Sequence, residues 1–293
     1  MGLYRRVAAS FIRLATRRRK PRRAPVIALH CSGADAGQWR SLRNSLGEDY
    51  DLVAPEHYGC KAAGPWPGER AFTLADEAER TLALIDASDR PVHLVGHSYG
   101  GGVALKIAVE RPERIASLSL YEPSAFHVLR AIGNRGAAAF AEIQTLVQRT
   151  VGGIAIGDHR GAAAAFVDYW NGHGAWDTLR PPVQAALMRW LPKAPLDFSA
   201  LIEEPTALAA YASLRVPALV LRGEHALTPS RLIAETLWAL LPAAELREIA
   251  GAGHMGPLTH TAAVNAAIVR HIARVEHCRQ HPETRASSLA RVA

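Results

Sequence analysis

Short, largely apolar runs recur along the chain. The clearest are Val26 to His30, Val92 to Val95, Ile115 to Tyr121 and Ala218 to Arg222. Val26 to His30 is continuous and apolar rather than alternating. That is the pattern of strands in a parallel sheet covered on both faces. Asp51 to Pro55 and Glu245 to Ile249 are more polar, and they also read as strands. Helical periodicity fills the gaps at Gln38 to Leu46, Leu74 to Ile85 and Gly101 to Val109. The second of these carries acidic residues in its first turns, as a helix start favours. Strands alternating with helices predict an α/β fold with a doubly wound, mostly parallel sheet.

One stretch breaks the alternation. Residues 123 to 214 contain no clear strand and are rich in alanine, glycine and tryptophan. Helix-like runs fall at Arg135 to Arg149, Arg160 to Tyr169, Val183 to Trp190 and Pro205 to Leu214. An insert after a mid-sheet strand lies over the carboxyl ends of the strands, where open α/β sheets bind ligands. The expected organisation is a basic arm over 1–25, a core over 26–122 and 215–275, a helical cap over 123–214, and a polar tail over 276–293. A chain of 293 residues can bury a core of that size.

Charge changes the picture only at one end. The formal net charge is +7, but nine basic residues lie within the first 23, and no acidic residue precedes Asp35. Without the arm, 25 of the 34 basic residues face 27 acidic ones, so the body is near neutral. The arm reads as a solvated extension, as a weak contact for an anionic membrane or nucleic acid, or as a cleaved signal hinted at by Arg5-Arg6. A specific nucleic-acid partner is not expected, because the positive charge sits outside the domain. Three cysteines, Cys31, Cys60 and Cys278, are too few and too scattered for a disulfide framework and suggest a reducing, cytoplasmic setting. No apolar run approaches the roughly 20 residues needed to span a bilayer. The 13 histidines show no metal-ligand spacing. The expectation is therefore no metal, no cofactor, a small-molecule substrate, and an open oligomeric state.

The most informative stretch is Gly96-His97-Ser98-Tyr99-Gly100, with a strand before it and a helix after it. That is the G-x-S-x-G nucleophile elbow, a sharp turn that lifts one hydroxyl out of the packed layers. Glycines two before and two after Ser98 leave room where a side chain would meet the strand or the helix.

With Leu29-His30-Cys31-Ser32-Gly33, with the elbow and its helix ending Glu110-Arg111-Pro112-Glu113-Arg114, and with Gly251-Ala252-Gly253-His254, the chain resembles the α/β-hydrolase superfamily from about Val26 to about Arg274. The resemblance implies that fold, with the helical cap inserted after its sixth-type strand. It also implies the chain order nucleophile, acid, histidine. Ser98 stands at the nucleophile position and His254 at the base position. His97 and His260 are weaker choices for the base. The oxyanion donors implied are the backbone N–H groups of Tyr99 and Ser32, with Cys31 where the family has glycine.

The acid departs from the family pattern. After the strand Ala218 to Arg222 this chain reads Gly223-Glu224-His225-Ala226-Leu227-Thr228-Pro229, with Ala226 where an aspartate is usual. Some members of the superfamily take the acid from the end of the preceding strand, so the resemblance makes Glu122, at the end of Ile115 to Tyr121, the foremost replacement, and Glu224 the second. A dyad without an acid stays open. A further departure is that no antiparallel hairpin precedes Val26, so a truncated sheet edge is expected, with the arm available to cover it. Trp39, Phe126, Trp170 and Trp176 are candidate pocket residues, with Trp66 and Trp190 behind them. Core packing is the alternative for each.

The function expected is a serine hydrolase for a small to medium, largely apolar ester or related acyl compound. Carbon–carbon bond hydrolysis, acyl transfer and non-catalytic ligand binding are the alternatives on the same fold.

Overall fold

The computed structural model describes residues 24–281. Every residue of β3 (Val92–His97) and β4 (Ile115–Tyr121) is buried, so these two strands form the middle of the sheet. β1 (Ala24–Leu29) and β2 (Tyr50–Val53) continue it on one side, β5 (Ala218–Gly223) and β6 (Ala244–Ile249) on the other. All neighbours are parallel, in the order β2-β1-β3-β4-β5-β6. The doubly wound parallel sheet expected from the apolar runs is present, and each expected strand falls within a few residues of its place.

Both faces are covered, as continuous apolar strands require. On one face α1 (Arg40–Leu46) and α13 (Thr261–Gln280) bury Leu42, Leu46, Val264, Ile268 and Ile272 against Val26, Val95 and Leu219. On the other face α2 (Leu74–Asp86) and α3 (Tyr99–Glu110) bury Leu74, Ile85, Val103 and Ile107 against Ile27 and Leu94. Thr73 and Asp76 form a capping box that starts α2 at the acidic turn seen in the sequence.

Between β4 and β5 lie α4 (Phe126–Ala131), α5 (Ala137–Ala155), α6 (His159–Asn171), α7 (Ala175–Thr178), α8 (Pro181–Trp190), α9 (Ala194–Ile202) and α10 (Leu208–Ser213). Four of these match the helix-like runs. The short α4 and α7 were not legible, because neither is long enough for a 3.6-residue period to stand out, and α9 was not read from the sequence either. α11 (Thr228–Leu240) and the single turn α12 (Gly256–Thr259) complete the set.

The topology fixes where a ligand can sit. The sheet order reverses between β1 and β3, so the loops leaving their carboxyl ends part and open a crevice. The loop after β1 carries Cys31 and Ser32, and the turn after β3 carries Ser98.

The edges differ in detail from expectation. β1 begins at Ala24 rather than Val26, and β2 forms the edge beside it. The rest of the basic arm, with the idea that it covers this edge, lies outside the described residues. At the other end α13 continues to Gln280, past the boundary drawn at 275. Glu276 explains this. It is buried, 2.7 Å from Arg90 Nη2 and 3.3 Å from His93 Nε2, so the last turns are pinned beneath the sheet.

His93 and Arg90 hold the Glu276 carboxyl down from the ordinary 4.5 to about 2, against the opposing effect of burial. A depressed carboxylate pKa stabilises the fold above the unfolded value and loses that contribution as pH falls through the folded one. Thermal melts between pH 4.5 and pH 2 are therefore expected to drop more steeply for wild type than for Glu276→Gln. At neutral pH the variant is expected to be less stable by about 1 kcal/mol, after allowance for solvent screening.

Candidate active site

Ser98 sits at φ 53° and ψ −118°, between the end of β3 and the first residue of α3. Only tight backbone approaches allow this turn. A Cβ at Gly96 would meet the Gly100 backbone, and one at Gly100 would run into the Leu29 and His30 carbonyls. Glu122, directly after β4, is the other non-glycine residue with positive φ among the described residues, at 40°. Backbone strain of this kind costs about 1–3 kcal/mol per residue and persists where the surroundings over-determine it.

The structure brings Ser98, His254 and Glu122 together. His254 Nε2 is 3.0 Å from Ser98 Oγ, and His254 Nδ1 is 2.7 Å from Glu122 Oε2. All three residues are buried. The carboxylate can only accept, so Nδ1 carries the proton and Nε2 is free to accept from Ser98. Glu122 Oε1 accepts from Gly223 N–H at 2.9 Å, which fixes the carboxylate in this orientation. β5 and the histidine loop pass close here, since a Cβ at Gly223 would overlap the Ala252 carbonyl.

The other acid candidate points elsewhere. Glu224 is exposed, and its Oε2 accepts from Gly251 N–H at 2.7 Å, capping the turn before the histidine loop. Ala226 is buried and offers no polar group. His97 does not compete as a base. Its Nδ1 is 3.1 Å from the Gln38 amide nitrogen, and its Nε2 is 2.9 Å from the His254 carbonyl. The ring accepts from Gln38 and donates to His254, which is the neutral form. Burial, then the neighbouring His254, pushes its pKa well below the ordinary value. Gln38 Oε1 in turn accepts from Cys31 N–H at 3.1 Å. One buried chain of hydrogen bonds thus ties the loop after β1 to the histidine loop. His260 pairs with Thr259 and takes no part.

Among the described residues, neither Ser32 N–H nor Tyr99 N–H donates to a protein acceptor. Ser32 lines the cavity over Ser98, and Tyr99 N–H opens α3, whose positive end favours negative charge. Cys31 is buried, and burial pushes its thiol up to about 12, which removes it as a nucleophile. Ser124 went unnoticed in the sequence. Its Oγ is 3.2 Å from Ser98 Oγ and its N–H donates to the Ser98 carbonyl at 2.9 Å. Nothing in the spacing of Glu122-Pro123-Ser124 marks it.

The cavity has a volume of about 410 Å³. Ser98, His254 and Ser32 lie on its wall, with Trp170, Phe166, Leu187, Met255 and Leu258 supplying apolar surface. Trp170, on α6, stacks on the His254 ring at 3.9 Å between centroids and 23° between planes. The remaining aromatic candidates are corrected. Trp39 packs under the sheet with α1 and α13, and Phe126 and Trp176 are buried in the core on the other face. None of the three lines the cavity. Trp66 packs on Tyr58 and Phe72, and Trp190 on Phe166.

Comparison with known proteins gives the family. Residues 26–267 match the model of the alpha/beta hydrolase family. The protein named "Putative carbamate hydrolase RutD" from Klebsiella pneumoniae is 35% identical over 100 residues, which is 33% of this chain and 37% of that protein. Lipase LipV of Mycobacterium tuberculosis is 33% identical over 102 residues, 34% of this chain and 38% of that protein. The matches span little more than a third of either curated relative. A hydrolase from Pseudomonas aeruginosa superposes with a TM-score of 0.66 at 25% identity, covering 85% of this chain and 90% of that one. The family model covers most of the chain, and the chain belongs to the alpha/beta hydrolase family.

Proposed function

We propose that the protein is a serine hydrolase that cleaves a small to medium, largely apolar ester or related acyl compound through an acyl-enzyme. The observation that carries this reading is the unbroken relay from Ser98 Oγ to His254 Nε2 at 3.0 Å and from His254 Nδ1 to Glu122 at 2.7 Å. Ser98 Oγ attacks the carbonyl carbon while His254 Nε2 takes its proton. Glu122 holds the ring in the required tautomer and stabilises the imidazolium that forms. The N–H groups of Tyr99 and Ser32 receive the developing oxyanion. Donors placed this way are worth about 3 kcal/mol each. His254 then gives its proton to the leaving group. It next draws a proton from a water molecule as that water attacks the acyl carbon, and it returns the proton to Ser98 Oγ as the carboxylic acid leaves.

Mostly apolar cavity walls support an apolar substrate. The carbamate hydrolase and lipase named among the relatives act, by those names, on acyl compounds, which fits this class. Ala226 favours the non-catalytic ligand-binding alternative; the Glu122 carboxylate, 2.7 Å from His254 Nδ1, supports the catalytic reading against it.

A series of p-nitrophenyl esters of increasing acyl length tests the proposal. Turnover is expected for short and medium chains, falling once the chain outgrows a cavity of about 410 Å³. Silence of the wild-type enzyme across the whole series would contradict it.

A further inference from the structure

A second buried cluster lies behind the nucleophile turn, and the relay described above makes no use of it. Its centre is Glu77, in the first turn of α2 and 2% exposed. Glu77 Oε2 accepts from Tyr99 Oη at 2.8 Å and from Lys193 Nζ at 2.6 Å. Glu77 Oε1 accepts from Tyr58 N–H at 3.0 Å and lies 3.4 Å from His57 Nδ1. His57 Nε2 is 3.1 Å from the His30 carbonyl, and His57 N–H donates to His30 Nε2 at 3.3 Å. The same His30 carbonyl accepts from Gly100 N–H at 3.1 Å.

These contacts converge on two backbone segments. Tyr99 carries one proposed oxyanion donor on its own N–H. His30 stands two residues before Ser32, which carries the other. A single carboxylate therefore braces both walls of the proposed hole, one oxygen for each wall.

Lys193 brings in the insert between β4 and β5. It is 4% exposed and donates to Glu77, to Tyr99 Oη at 3.1 Å and to Asp197. Asp197 also accepts from Trp190 Nε1 at 2.7 Å. Burial opposes the charge on Lys193, but Asp197 and Glu77 outweigh it and raise its pKa, so it stays an ammonium. Burial likewise opposes charge on Glu77, and His57 and Lys193 outweigh it and hold its pKa low. Desolvating such charges is costly, and apolar side chains of equal volume would hold a core at least as well. What these groups add is fixed direction at Tyr99 and His30.

We infer that Glu77 is a positioning residue for the oxyanion hole, and that Lys193 makes the geometry of that hole depend on the seating of the helical insert. This inference rests on the serine-hydrolase reading and adds to it a coupling between insert and elbow.

The test compares full-length wild type with Glu77→Gln, Lys193→Met, Lys193→Arg and Tyr99→Phe. Four quantities are read: kcat and KM on a p-nitrophenyl ester, affinity for a phenylboronic acid, and melting temperature. Rates are normalised to the fraction of Ser98 that a fluorophosphonate labels. A boronic acid forms a tetrahedral anion on the serine and so reports on the hole itself. A hole out of place weakens transition-state contacts alone, which lowers kcat and leaves KM.

Glu77→Gln is expected to lower kcat by about 10- to 100-fold, with KM held within about 2-fold and boronate affinity falling in parallel. Tyr99→Phe keeps ring and backbone and loses only the bridging hydroxyl. It is expected to lower kcat by about 3- to 10-fold, and it carries the decision if Glu77→Gln does not fold. Lys193→Arg is expected to recover most of what Lys193→Met loses. Wild-type kcat and boronate affinity in Glu77→Gln or, failing that, in Tyr99→Phe, with only the melting temperature lowered, would overturn the inference. Wild type that neither turns over esters nor binds boronate would overturn the hydrolase reading, and this inference with it.

Discussion

Ser98→Ala is expected to lower kcat on an ester that wild type turns over by about 10⁵-fold, with the melting temperature close to that of wild type. The size of the effect follows from the relay acting as one unit. His254 has no other proton to take at 3.0 Å, and Glu122 then orients a base without a nucleophile. Ser124 is the hydroxyl nearest to replacing it, at 3.2 Å from Ser98 Oγ. It belongs to the turn after Glu122, and its backbone is tied to the Ser98 carbonyl. It lacks the contact with His254 that would activate it. Alanine at 98 keeps the backbone bonds from Gly101, Gly102 and Ser124 to the residue 98 carbonyl, so the fold is expected to hold. Ester hydrolysis followed to high enzyme concentration, beside circular dichroism of the same sample, checks both halves of this expectation.

Glu122→Gln is expected to lower kcat by at least about 10²-fold without loss of the fold. Its cause is a hydrogen bond that the substitution cannot turn. Gly223 N–H is a fixed donor 2.9 Å from one oxygen of Glu122, so the amide oxygen of a glutamine is locked toward it. The amide NH2 then faces His254 Nδ1, which must accept rather than donate. The proton moves to Nε2, and the ring can no longer take one from Ser98. Glu224→Gln is the matched control. Glu224 is exposed and caps Gly251 N–H, so its variant is expected to keep kcat within about 2-fold. A normal rate in Glu122→Gln together with a collapsed rate in Glu224→Gln would reverse the two roles.

The sequence made the sheet legible because strands buried on both faces must be continuous and apolar, and little else in a chain looks that way. Ser98 and His254 were legible for a similar reason. The elbow and the histidine loop need glycines at fixed offsets, and those offsets survive in the bare sequence. Glu122 was legible only through the resemblance, since some members of the superfamily take the acid from the end of this neighbouring strand and Ala226 stands where a carboxylate is usual. Its positive φ and its bond to Gly223 could not be read from the chain.

The pocket was the weakest reading, because size and hydrophobicity do not say which way a tryptophan faces. Trp170 meets His254 and the cavity, whereas Trp39 and Trp176 satisfy the same apolar demand inside the core. The Glu77 cluster was invisible for a different cause. A glutamate in the first turn of a helix is the ordinary way to favour that helix end. Only the fold shows that this one is buried against Lys193, from a segment 116 positions away.

Labelling with a fluorophosphonate, followed by peptide mapping, reads out whether Ser98 is activated. An activated serine reacts at once with such a reagent, and an ordinary one barely does. One adduct per chain is expected, on the peptide that carries Ser98, lost in Ser98→Ala and strongly slowed in Glu122→Gln. An unlabelled Ser98 in folded wild-type protein, or an adduct on another residue, would contradict the serine-hydrolase reading.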